Sequence, residues 1–570
     1  MAILADDSHG RCAMLFKVIS IVLGTLLMPC IIEGQIPSQA ILTAQTQPDV
    51  TFTPVVRGKV DEVFARYNNT NTPGCTVGVS RGDKPVLESA YGMADLEHGI
   101  ALTPDSILEA GSVSKQFTAA AVLLLAEAGK LSLDDPVRKY IPELPDYGTP
   151  LTIRHMIHHT SGLRDWGAVA AVGGWPRTTR VYTHEHVLEI LGRQRSLNYT
   201  PGAHYSYSNS GYNLAAILVS RVSGKPFATY TREAIFEPLG MQSTSWRDDH
   251  RRIVARRAIA YADQPLPART LMPFENVYGN GGLLTTVGDL LRWNGNFTSR
   301  QVGGSGFVEA QQLRGRLSDG SEINYAAGLM LGEFRGESEV SHAGSTAGYR
   351  AFLARYPKKS LSVAVLCNAA SANAPQLGRD VARVFLNDAA GESSKASDVK
   401  ADPAAFAGCY RSRRDQTTML LEAAGGNLRW RGQTLRAIAS NEFAMGEVVL
   451  AFEVDASAGP TRFRMKDPST EIVFDRVAPW TPSRAELEAM AGEYQSEEAE
   501  VTLRVTAEDA GLVIFRRPGT RMRLTSCCQD SFENNELGSV RFLRDAIGRI
   551  NEMNLGSARV WDLRLRRNSR

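Results

Sequence analysis

The 570-residue sequence predicts an α+β chain, an antiparallel sheet flanked by helices and then two small antiparallel β-barrels. Three observations predict this. Cys75-Thr76-Val77-Gly78-Val79-Ser80 and Pro85-Val86-Leu87-Glu88-Ser89-Ala90 flank the turn Arg81-Gly82-Asp83-Lys84, a strand–turn–strand pattern. The apolar run Ala119–Ala126 follows, and a hairpin followed by a helix is the order of a sheet with helices on its faces. Near the C-terminus, Phe406-Ala407-Gly408-Cys409-Tyr410-Arg411-Ser412 returns as Met490-Ala491-Gly492-Glu493-Tyr494-Gln495-Ser496. The offset of 84 residues from Gly408 to Gly492 also relates Leu428 to Leu512. Each copy runs as short alternating strands and has the size of a small closed barrel.

Composition sets outer bounds. With 43% hydrophobic and 22% charged residues the chain is globular and long enough for several domains. A net charge of +2 gives no global electrostatic argument for nucleic acid or an anionic membrane. Seven cysteines at irregular spacing form neither a disulfide framework nor a zinc set; the adjacent pair Cys527-Cys528 is poorly placed for mutual bonding. Cys75 and Cys367 both fall in predicted strands and are expected to be buried free thiols.

In chain order, Arg11 and Lys17 precede the apolar run Val18–Leu27, which breaks at Pro29 and Glu33, short of the ~20 residues of a membrane span. With small residues at Ser38 and Ala40 this reads as a secretory leader, with Met14 as an alternative start and a periplasmic or secreted product. The expected domains are a leader over 1–40, a tether over 41–58, the main domain over 59–387, a linker over 388–402, and barrels over 403–478 and 484–570. Val60–Tyr67 reads as an amphipathic helix, and Gln376–Leu386 closes the main domain as another.

Ser112 stands at the mouth of the Ala119–Ala126 helix, with Lys115 three residues on and therefore on the same face. The helix N-terminus offers free N–H groups and partial positive charge to a developing oxyanion. A serine becomes nucleophilic when a base takes its proton, and Lys115 qualifies only when neutral. Lowering a lysine from ~10.4 to near 7 takes about 3 pK units, roughly 4–5 kcal/mol, which burial can supply. Alone, Ser-x-x-Lys reads better as a helix cap and a solvated lysine. His155, His158 and His159, at i, i+3 and i+4, read as the end of a helix begun at Thr152 and entering a turn, not as a metal site. Gly279-Asn280-Gly281-Gly282 lacks the lysine of a phosphate loop and reads as scaffolding before a helix capped at Thr286.

The run from Ser106 to Leu163, with Gly111-Ser112-Val113-Ser114-Lys115, Gly129-Lys130-Leu131-Ser132-Leu133-Asp134-Asp135-Pro136 and His159-Thr160-Ser161-Gly162-Leu163, resembles the class C β-lactamase-like serine hydrolases. Two further motifs appear in order. Tyr207-Ser208-Asn209 resembles the family's Y-x-N, and His342-Ala343-Gly344 its K-T-G or H-x-G element. The resemblance covers roughly Val60 to Leu386, and the appended barrels resemble the architecture of bacterial D-aminopeptidases. It implies an acyl-enzyme at Ser112, with Lys115 and Tyr207 sharing the proton transfers. Asn209, His342 and Gly344 would border the substrate, and the N–H groups of Ser112 and Ser345 would hold the oxyanion. It implies no metal or organic cofactor, and a small peptide, ester or β-lactam as substrate; it specifies no oligomer. Short or D-amino-acid peptides are the expected substrates, with esterase and β-lactamase as alternatives and a non-catalytic cell-wall-binding or regulatory protein as the rival class. His342, with an unperturbed pKa of ~6.5, is expected to be about one-quarter protonated at pH 7. The barrels are expected to shape access, with Asp530, Glu533 and Glu536 of the second copy reaching toward a substrate amine.

Overall fold

The computed structural model describes residues 54–386 and 401–568, apart from 458, 468, 469 and 510. The expected leader, most of the tether and most of the linker lie outside the described residues. No helix among the described residues is long and apolar enough to cross a membrane.

The main domain is built on a six-stranded antiparallel sheet in the order Met330–Phe334, Glu337–Thr346, Tyr349–Tyr356, Leu361–Cys367, Cys75–Arg81, Lys84–Tyr91. The N-terminal hairpin thus adds to the edge of a C-terminal meander. The strands Leu361–Cys367 and Cys75–Arg81 are buried almost throughout, which suits their continuous apolar character. Helices Pro54–Val63 and Ala374–Phe385 cover one face of the sheet, and Val287–Ser299 packs against the other. The first helix begins earlier than its periodicity implies and passes through Phe64 into a single 3₁₀ turn, Ala65–Tyr67.

Register corrects the cysteine reading. Cys75 stands directly opposite Cys367 and is disulfide-bonded to it, across a sequence separation of 292. A second disulfide joins Cys409 to Cys527, one barrel to the other, while Cys528 is a buried free thiol.

Beside the sheet lies a helical region whose centre is the pair Lys115–Glu127 and Asn209–Ser223. Caps fix its ends: Thr152 and His155 form a capping box, Ser208 accepts from the Ser210 N–H, and Thr286 accepts from that of Asp289. Below Ser112, the buried Arg247 and Glu109 pair at 2.8 Å. Removing either partner would leave the other only a longer ion pair, Arg247 with Glu275 at 3.8 Å or Glu109 with Arg257 at 3.9 Å, and breaking a buried pair costs about 3–5 kcal/mol.

The first repeat is a closed barrel of eight strands from Gly408–Ser412 to Glu471–Val477. The second is a nine-stranded antiparallel sheet whose first and last strands, Thr520–Arg523 and Thr525–Cys528, are consecutive in the chain, so that it nearly closes. The repeat has a physical basis. Tyr410 and Tyr494 donate their hydroxyls to the carbonyls of Phe406 and Met490, four residues back in each copy. The first barrel keeps a core of its own, whereas the core of the second is continuous with that of the helical region. Their docking includes the ion pair Arg164–Glu498 at 3.1 Å and the Trp561 ring 4.7 Å from that of Tyr199.

Candidate active site

Ser112 lies in a single 3₁₀ turn, Gly111–Ser114, that runs directly into the helix Lys115–Glu127. The turn is pressed against the strand Glu337–Thr346. A Cβ on Gly344 would sit 2.0 Å from the Ala110 carbonyl oxygen and 3.1 Å from the Ser112 nitrogen. One on Gly111, which has φ +52°, would sit 2.6 Å from the Ser345 nitrogen. Both positions therefore exclude side chains, and the two backbones come together at the N–H groups of Ser112 and Ser345. On its other side this strand is paired only as far as Ser341, opposite Met330.

Lys115 is fully buried. Its Nζ lies 3.2 Å from Ser112 Oγ and donates to Asn209 Oδ1 at 3.0 Å and to the Asn280 carbonyl at 2.7 Å, which leaves the lone pair of the neutral amine for the Ser112 hydroxyl. Burial, aided by the cations Arg559 and Arg177 and opposed by Asp165, holds its pKa well below the usual lysine value. Tyr207 hydrogen-bonds Ser112, and the Lys115 amine lies 4.8 Å from the centre of its ring. Burial pushes the Tyr207 phenol up to about 12, against the opposing effect of that hydrogen bond. The pair is thereby polarised into an amine that holds a proton less firmly than an ordinary lysine and a phenol that keeps its own. The arrangement can deprotonate Ser112 and donate to a departing atom.

Asp165 is the foundation of this network. It accepts at 3.0 Å from both the backbone N–H and the side-chain amide of Asn209, which leaves Asn209 Oδ1 aimed at Lys115. His159, at φ +58°, accepts from the Ser208 N–H at 3.2 Å and lies 4.2 Å, ring to ring, beneath Tyr207. The expected histidine turn is present, but its last member props the tyrosine. The glycine-rich turn likewise exceeds the scaffolding role expected of it, since Asn280 supplies a carbonyl to Lys115.

His342 differs from expectation. Its Nδ1 donates to the Ala343 carbonyl at 2.6 Å, and its Nε2 accepts from the Tyr325 hydroxyl at 3.2 Å. Burial, with nearby Lys115, holds its pKa near 3, so the ring is neutral throughout the neutral range instead of one-quarter charged. The acidic residues expected to approach the substrate from the second barrel are each engaged by an arginine. Asp530 is paired with Arg544, Glu533 with Arg431 and Glu536 with Arg516. What the second barrel contributes is a hairpin turn ending in Arg559, whose guanidinium lies 5.2 Å from the Tyr207 ring and 3.5 Å from Asp165.

A serine, a buried amine of lowered basicity beside it and two backbone N–H groups brought together on this sheet define a serine hydrolase. The chain belongs to the Beta-lactamase family, whose profile matches residues 60–387. It is 26% identical to a D-aminopeptidase of Brucella anthropi over 445 residues, 76% of this chain and 81% of that protein. A D-aminopeptidase of Gluconobacter oxydans is 25% identical over 477 residues, 82% of this chain and 86% of that one. Among solved structures, the octameric penicillin-binding protein homologue from Pyrococcus abyssi shares the fold with a TM-score of 0.55 at 22% identity, covering 74% of this chain and 99% of that one.

Proposed function

We propose that the protein is a D-aminopeptidase-like hydrolase of short peptides or amides that works through an acyl-enzyme. Ser112 Oγ bonds to the substrate carbonyl carbon while neutral Lys115 takes its proton. Tyr207 passes a proton to the leaving atom as the bond to it breaks, and the N–H groups of Ser112 and Ser345 hold the oxyanion. Water then repeats the sequence to release the acid. One such oxyanion donor stabilises the transition state by about 3–4 kcal/mol. The observation that carries the reading is the buried Lys115 amine, 3.2 Å from Ser112 Oγ, with its pKa depressed. The substrate class rests on the two D-aminopeptidase relatives, each matched over most of its length.

One observation favours a second reading, esterase or hydrolase of N-blocked amides. Asp165 is occupied by Asn209 and Arg559, so the charge that the second barrel brings toward Tyr207 is positive, which disfavours a substrate ammonium. The deciding measurement is kcat/KM for D- and L-aminoacyl p-nitroanilides, their N-acetyl counterparts, p-nitrophenyl acetate and a chromogenic cephalosporin. The aminopeptidase reading expects the free D-aminoacyl anilide to exceed its N-acetyl form; the reverse order installs the second reading. The cephalosporin should be turned over poorly, because neutral His342 offers no fixed charge to its carboxylate.

Export to the periplasm or medium belongs to the same proposal. It is supported by the leader-like sequence before Ile41 and by the two disulfides, which persist in oxidising compartments.

A further inference from the structure

Between the domains lies a cavity of about 230 Å³ with walls from three sources. Tyr207 belongs to the main domain and Arg559 to the second barrel, while Met419, Trp430, Met465 and Ile472 line it from the mouth of the first barrel. An eight-stranded barrel either fills its interior with side chains or holds one small ligand. This barrel does the first lower down, where Phe406 packs against Phe443 and Phe452 at 5.1 and 4.8 Å between ring centres. The cavity remains at the mouth, next to the catalytic tyrosine.

We propose that this cavity is the leaving-group subsite, and that it takes an apolar alcohol or amine portion of the substrate that carries no positive charge. The inference rests on the acyl-enzyme reading above. Tyr207 returns the proton to the departing atom, so the departing group must lie on the Tyr207 side of the scissile bond, and the cavity shares that wall. Its apolar lining supplies burial for a hydrocarbon body. The indole N–H of Trp430 is buried without an acceptor among the described residues, and suits an occupant that carries one acceptor atom. Arg559, Arg414 and Arg431 border the cavity together with Asp415 and Asp467, and both carboxylates are engaged, Asp415 by Arg414 at 3.1 Å and Asp467 by the N–H and hydroxyl of Thr470. An ammonium placed there would meet three guanidinium groups and two carboxylates that already have partners. At ~30 Å³ per water the space holds about eight waters, enough for a short alkyl chain or one phenyl group.

The test uses acetate esters of ethanol, butanol and hexanol, which share one acetyl-enzyme, so kcat/KM reports acylation alone. In the wild type, kcat/KM should rise about fourfold for each methylene that enters the cavity. Lengthening the acyl side, from ethyl acetate to ethyl hexanoate, should give no such rise. Met465→Trp narrows the mouth and should collapse the hexyl-to-ethyl ratio toward one. Calorimetric titration of N-hexylacetamide into Ser112→Ala, with and without Met465→Trp, reads the same site without turnover. Binding that Met465→Trp removes supports the cavity even if no ester is hydrolysed, in which case only the acyl-enzyme reading falls. An alcohol-length dependence that Met465→Trp leaves intact, or no titratable binding to Ser112→Ala, overturns the subsite.

Discussion

Ser112→Ala should lose all covalent labelling by a fluorophosphonate and lower kcat/KM on any accepted ester by about 10⁴–10⁶-fold, the usual loss when a serine nucleophile is removed. Intact mass should rise by one adduct in the wild type and by none in the variant. The variant should also keep its thermal stability. Ser112 is only partly buried, and its loss leaves Lys115 with two acceptors, Asn209 and Asn280. A labelled serine elsewhere, or an alanine variant that still turns over, would remove Ser112 from the mechanism.

Lys115→Arg should be nearly as damaging, with kcat/KM falling on the order of 10²–10⁴-fold, because arginine remains protonated and cannot act as the base. In the wild type the acid limb of the kcat/KM profile should follow Lys115. His342, held near 3, titrates below the working range, and Tyr207, at about 12, above it. The same lysine has a stability signature. Its pKa is depressed in the folded protein, so between that value and the unfolded ~10.4 the unfolded chain binds the extra proton. Stability from this group therefore rises with pH across that window. Melting temperatures of wild type and Lys115→Met should thus diverge in the wild type's favour as pH increases toward 10. A constant difference over that range would mean that Lys115 is charged in the folded protein.

The parts of the site that the sequence made legible are those whose chemistry is local. Ser112 and Lys115 share one helix face, and Tyr207 and Asn209 come from one turn and the helix it starts. Their order along the chain, completed by His342-Ala343-Gly344, singled them out. The sheet and the repeat were legible for a similar reason, since alternation and the 84-residue offset are written into consecutive residues. What escaped depends on packing. Asp165 looks like an ordinary helix cap, and it is one, accepting from the Ala168 N–H at 3.1 Å. Nothing nearby in the sequence shows that its other oxygen holds Asn209. Asn280 acts through a carbonyl, which any residue possesses. Arg559 lies in a hairpin of the second barrel, and only docking carries it to Tyr207. His342 was recognised, but its neutrality comes from burial.

The two disulfides partition the chain topologically. Cys75–Cys367 closes a ring that contains Ser112, Lys115, Tyr207, Asn280 and His342, and Cys409–Cys527 closes a second ring through both barrels. Even when denatured, the oxidised chain carries two loops joined by the stretch from Cys367 to Cys409, a sequence separation of 42, and Ser112, Lys115 and Tyr207 never leave the first loop. In the chain-entropy account, closures of 292 and 118 residues deprive the unfolded ensemble of about 6 and about 5 kcal/mol of freedom respectively. Reduction would therefore lower stability mainly by enlarging the unfolded ensemble, without touching Ser112.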